Sequence, residues 1–116
     1  MPEANPTHDV LIGVSKHDPD VLEGLFMARL DNLAASGLDP KSYAIANLAA
    51  LVAINAAPAS YVWQVGLALD AGVTPEEILG LLVALNPLVG NALVVTAAPN
   101  FALALGVDLG LLDGEG

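Results

Sequence analysis

Residues 68–78 read Ala-Leu-Asp-Ala-Gly-Val-Thr-Pro-Glu-Glu-Ile, and this run decides the fold. Its first half closes an apolar helix: Asp70 and Ala71 lead into Gly72, a residue that leaves a helix through a left-handed turn without steric cost. Its second half is a fresh start. Thr74 brings a hydroxyl to the cap position, and Pro75 has a φ already suited to a first helical residue. Glu77 follows three positions after the threonine, which is the spacing of a capping box. Helix, stop and new helix succeed one another with no strand between them.

The same punctuation recurs outward from this block. Asp18-Pro19 reads as a cap and first-turn proline, and Val21, Leu22, Leu25, Phe26, Leu30 and Leu33 keep a three-to-four spacing to a stop at Gly37. Asp39-Pro40 opens a second helix reaching about Ala56, and Pro58 opens a third that ends at Gly72. The fourth, from Thr74, is predicted to stop before Asn86-Pro87, where Asn86 caps a fifth. Pro99 should kink or split that last helix, because proline removes a backbone donor and clashes with the preceding turn. Gly106 ends it. No strand-length alternation, hairpin dipeptide or internal repeat interrupts the pattern. The fold class is all-α, with about five to six helices over residues 18–107. Residues 1–17 are expected to form an N-terminal arm and residues 108–116 a flexible acidic tail outside this pattern.

Composition narrows the function classes. The chain has 116 residues, 55% of them apolar, and thirteen acids against three bases give a net charge of −10. That is one domain with enough apolar surface for a core, and not a disordered chain. Three bases cannot neutralise a phosphate backbone, and 4% aromatics provide no base-stacking platform, so nucleic acid is excluded as a partner. The absence of cysteine removes disulfides, thiolate catalysis and thiolate-bound metal together. A mean hydropathy of +0.65 raises the question of a membrane. Residues 42–69 and 78–107 carry no charge, and each is longer than a span requires. Asn47, Asn55, Pro58 and Gln64 break the first; Asn86, Pro87, Gly90, Pro99 and Asn100 break the second. No membrane partner is expected, and the acidic N-terminus lacks the apolar core of a signal peptide, which predicts a cytoplasmic protein. Three helices apolar nearly all round cannot all be buried in one small chain, so a homo-oligomer is expected.

Read together, Leu38-Asp-Pro-Lys41, Ala57-Pro-Ala-Ser60, Gln64, the block at 68–78 and Pro87-Leu-Val-Gly90 resemble the carboxymuconolactone decarboxylase family, which includes the alkylhydroperoxidase D proteins. The resemblance covers about residues 20–107. It implies an alkylhydroperoxidase D-like fold and a homotrimer or hexamer. It also implies a site, since redox members carry C-x-x-C at the start of the third helix and a histidine four residues beyond. Those positions fall on Ala57, Ser60 and Gln64, and a glutamate of the preceding helix falls on Ala44. All four are replaced. A disulfide-cycling peroxidase is therefore chemically excluded, and the expected activity is cofactor-free and non-redox.

The residues left at these positions are neutral. Ser60 and Gln64 are four apart, hence adjacent on one helix face. With Tyr61 and His17 they are the candidate catalytic groups, and Tyr43, Asn47 and Trp63 are the candidate substrate-binding groups. One reading is a hydrogen-bonding pocket for a small, mostly apolar molecule. The other is that Ser60 caps or lines the helix start and Gln64 satisfies a buried polar partner. Ser60 has no histidine near it in sequence to act as base. His17 precedes Asp18 and is either an imidazole–carboxylate pair brought to substrate or a solvated residue beside a cap. His8 and His17 lack the spacing of a metal set, so neither metal nor cofactor is expected.

Overall fold

The structure, a computed structural model, describes residues 18–106. They form five helices: α1 Pro19–Ser36, α2 Pro40–Ala53, α3 Pro58–Asp70, α4 Pro75–Val89 and α5 Asn91–Ala104. Among the described residues there is no strand. The chain divides into two units, Met1–Leu38 and Asp39–Gly116.

In the first unit, the Asp18 carboxylate accepts from the backbone N–H groups of Asp20 (2.9 Å) and Val21 (3.4 Å), filling donors that no helical carbonyl can reach. Gly37, at φ 71°, closes α1 in the left-handed region, as the sequence predicts.

The second unit holds the core. Asp39 caps α2 through Ser42, whose N–H and hydroxyl donate to its two carboxylate oxygens at 2.8 and 2.9 Å. The capping box of α4 is complete: the Glu77 N–H donates to Thr74 Oγ1 at 3.1 Å, and the Thr74 N–H donates to Glu77 Oε1 at 3.0 Å. Helix α3 ends in a Schellman turn, with the Val73 N–H reaching the Ala68 carbonyl and the Gly72 N–H that of Leu69. Val73 and Ala68, the two ends of that turn, are both buried. Helix α2 packs on α3 and α4, and α5 packs on α3 and α4. Their shared core takes Ala44, Leu48 and Val52 from α2, Tyr61, Val65 and Ala68 from α3, Ile78 and Leu82 from α4, and Ala97 and Phe101 from α5. Each large member contributes roughly 1.5–3 kcal/mol by leaving water.

Three boundaries differ from expectation. Helix α2 stops at Ala53 rather than near Ala56, because Asn55 adopts φ 54°. The Ala56 N–H then reaches back to Leu51 and the Asn55 N–H to Val52, a second Schellman turn with asparagine in glycine's place. Helix α4 does not stop before Asn86-Pro87 but runs through Pro87 to Val89, so Asn86 is an interior residue and not a cap. Helix α5 likewise continues unsplit through Pro99. The reason is orientation. Pro87 and Pro99 are exposed, as are Val83 and Val95, whose carbonyls lose their donors, so water can take the place of the missing N–H.

The break falls instead at Gly90, with φ 91° and ψ 157°. Only glycine occupies that region readily. A Cβ there would meet nothing within 4 Å, so any penalty is one of backbone conformation alone. Gly90→Ala should therefore lower stability by about 1–3 kcal/mol in urea denaturation, without any clash to relieve.

Candidate functional site

Helix α3 presents the candidate residues in three directions. Tyr61, Val65 and Ala68, at positions i, i+4 and i+7, form its buried stripe. Ser60 and Gln64 run alongside that stripe, half-buried and one turn apart. Trp63 lies on a different face and is 44% exposed. Tyr61 and Trp63 thus point away from each other: Tyr61, three before Gln64, lies on the buried side of the Ser60–Gln64 pair, and Trp63, three after Ser60, lies on its exposed side.

Tyr61 is 1% exposed, and its ring meets Phe101 of α5 edge-on, with centroids 4.9 Å apart at 88°. That geometry sets the positive ring edge of one aromatic against the negative face of the other. Burial pushes the Tyr61 phenol above its usual range, so it remains a neutral hydroxyl at physiological pH. On α2, Tyr43 is buried and Asn47, one turn on, is half-buried, beside the stripe of Ala44, Leu48 and Val52. Tyr43 and Gln64 both have partners in the structure. His17 lies outside the described residues, as does His8.

Ser60 is not the cap of α3. That position belongs to Ala57, which makes no side-chain cap bond, and Ser60 sits in the first turn with its N–H donating to the Ala57 carbonyl at 3.0 Å. Ser60 therefore lines the start of the helix without capping it. Ala44, at the position where the resemblance places a glutamate, is a core residue at 1% exposure. The methyl fills space in the apolar cluster that a carboxylate would have to share.

The electrostatics are lopsided. Between residues 39 and 106 the acids are Asp39, Asp70, Glu76 and Glu77, and the one base is Lys41. Lys41 Nζ lies 2.8 Å from Glu77 Oε2, tying the start of α2 to the start of α4. The ammonium of Lys41, with the Thr74 backbone N–H, holds the Glu77 carboxyl below the usual carboxylate range. Sequence reasoning found the capping box but not this bridge; a lysine two residues after the Asp39 cap was its only trace. The positive element nearest Ser60 in sequence is the N-terminus of α3. A helix end is worth ~0.3–1 kcal/mol to a nearby anion, against several kcal/mol for burying a carboxylate without a cation. Among the described residues no cluster of three metal-ligating side chains exists. Nor is any described helix long and apolar enough to cross a membrane.

The model of the carboxymuconolactone decarboxylase family matches residues 19–102. The chain belongs to the carboxymuconolactone decarboxylase family. No curated protein and no solved structure matches it significantly. As a carboxymuconolactone decarboxylase family member, the chain keeps the helical scaffold and fills positions 44, 57, 60 and 64 with two alanines, a serine and a glutamine. What such a set can do is donate and accept hydrogen bonds. It cannot cycle electrons, and serine, glutamine and phenol offer no ionised group near neutral pH.

Proposed function

We propose that this chain is a cofactor-free, non-redox enzyme acting on a small organic molecule. The substrate is a lactone, an acid or a polyketide-like compound, and the reaction a decarboxylation, isomerisation or cyclisation. The observation that carries this reading is the pair Ser60 and Gln64, half-buried one turn apart beside the neutral Tyr61 phenol. In this reading Tyr61, Gln64 and Ser60 polarise a carbonyl of the substrate, Tyr43 and Asn47 bind it from α2, and His17 of the arm supplies an acid or base. Trp63 binds substrate from another face of α3. No metal or cofactor is required. Assembly into a homotrimer or hexamer and a cytoplasmic location belong to the same proposal.

The replacement of all four family positions favours a second reading, a scaffold that binds a small ligand or an assembly partner without turning it over. Turnover separates the two. Against a panel of lactones and β-keto acids followed by NMR, the enzyme reading expects product, with Tyr61→Phe and Gln64→Leu each lowering kcat/KM by about 10-fold or more. Rates unchanged in both variants remove these residues from the site. Binding without product across the panel supports the scaffold.

A further inference from the structure

We infer that the site beside Ser60 and Gln64 takes neutral carbonyl or hydroxyl compounds and rejects carboxylates. The inference rests on the site proposed above and narrows its substrate class. An anion entering an apolar, half-buried site needs a positive partner, since desolvation disfavours its charged form. Within residues 39–106 the one lysine or arginine is Lys41, and its ammonium is held 2.8 Å from Glu77. Three further carboxylates, Asp39, Asp70 and Glu76, belong to the same unit, and the whole chain carries −10. The field of such a chain repels anions before they arrive. The α3 N-terminus, where Ala57 leaves the cap without a side-chain bond, is weaker than the desolvation it would have to offset.

A neutral carbonyl meets none of these penalties. It needs donors, and Gln64, Ser60 and the un-ionised Tyr61 are donors. Of the three reaction types, decarboxylation starts from a carboxylate that must shed carbon dioxide and leave an electron pair on carbon. Isomerisation and cyclisation start from molecules that can be uncharged. The charge distribution therefore selects the latter two.

A matched pair of probes tests this on the full-length protein. Phthalide is a neutral bicyclic lactone, and 2-(hydroxymethyl)benzoate is its ring-opened anion, of nearly the same size. Backbone amide shifts of residues 60–64 are followed by NMR at pH 7 as each is added. The expected result is that phthalide binds about tenfold or more tightly than the benzoate. Gln64→Lys, a change that a half-buried position accommodates by extending its head to water, should narrow or reverse that preference. Equal or tighter binding of the benzoate to the unmodified protein overturns the inference. Shifts from neither probe at 60–64 remove the site itself, and with it the reading on which this inference rests.

Discussion

Phe101→Ala should lower stability by about 3–5 kcal/mol, the largest single loss expected in this chain. Phe101 is 2% exposed, and its ring is packed edge-on against Tyr61, so truncation removes transfer energy, leaves a cavity and breaks an aromatic pair. The pair alone is worth ~0.5–1.5 kcal/mol beyond its buried area. It joins α5 to α3 in the middle of the second unit's core, so no other element can close over the gap without moving a helix. For a domain with ~5–15 kcal/mol of total stability the remainder is small, and the midpoint of thermal unfolding should fall by more than ~10 °C. Urea denaturation followed by circular dichroism measures it, at fixed protein concentration because assembly would add a concentration-dependent term. Tyr61→Phe is the companion variant. It keeps the ring and the contact with Phe101 while deleting the hydroxyl, so its stability should remain within ~1 kcal/mol of the unmodified chain. A loss as large as that of Phe101→Ala would show the hydroxyl to be structural and remove it from the site.

Cap chemistry is local, and that is why so much of the fold can be read from residue order. Asp18, Asp39 and Thr74 act within three residues of themselves, and each does in the structure what its neighbours predict. Prolines inside helices are different, because their penalty depends on which way the lost bond faces. Asn86-Pro87 has the look of a helix start, yet Pro87 lies on the exposed side and α4 continues to Val89. Asn55 hid its role for a related reason: asparagine enters the left-handed region far less often than glycine, and Pro58 a few residues later drew the boundary too late. At the site, the four-residue spacing of Ser60 and Gln64 was enough to place them together. Which of Tyr61 and Trp63 faces the core was not legible in the same way. Helix α3 is apolar on nearly every face, so its periodicity has no polar side to fix the rotation, and packing against α2 and α5 sets it.

That all-round apolarity underlies the second large effect, on assembly. In light scattering the protein should return three or six times its chain mass of 11.8 kDa, and a value near 11.8 kDa at micromolar concentration would contradict the proposed homo-oligomer. The packed pair α4 and α5 shows why. On α4, Leu79 is 64% and Val83 is 68% exposed; on α5, Val95 and Leu103 are also open to solvent, with the exposed Pro99 between them. Residues 78–107 contain no charge that would keep such a stripe hydrated or hold off a neighbour. A chain at −10 repels most acidic partners, but a second copy offers this same uncharged stripe, and apolar surface there can be buried without bringing carboxylates together. Replacing Leu79 and Val83 together by glutamate tests the face directly. The two side chains point away from the core residues Ile78 and Leu82, so helicity by circular dichroism should be retained. The mass should fall to that of one chain, because each interface would then have to bury two unpaired carboxylates. A variant that keeps both its helicity and the mass of the unmodified assembly would place the contact elsewhere, as on Val62 and Trp63 of α3 or Leu25, Phe26, Met27 and Leu30 of α1.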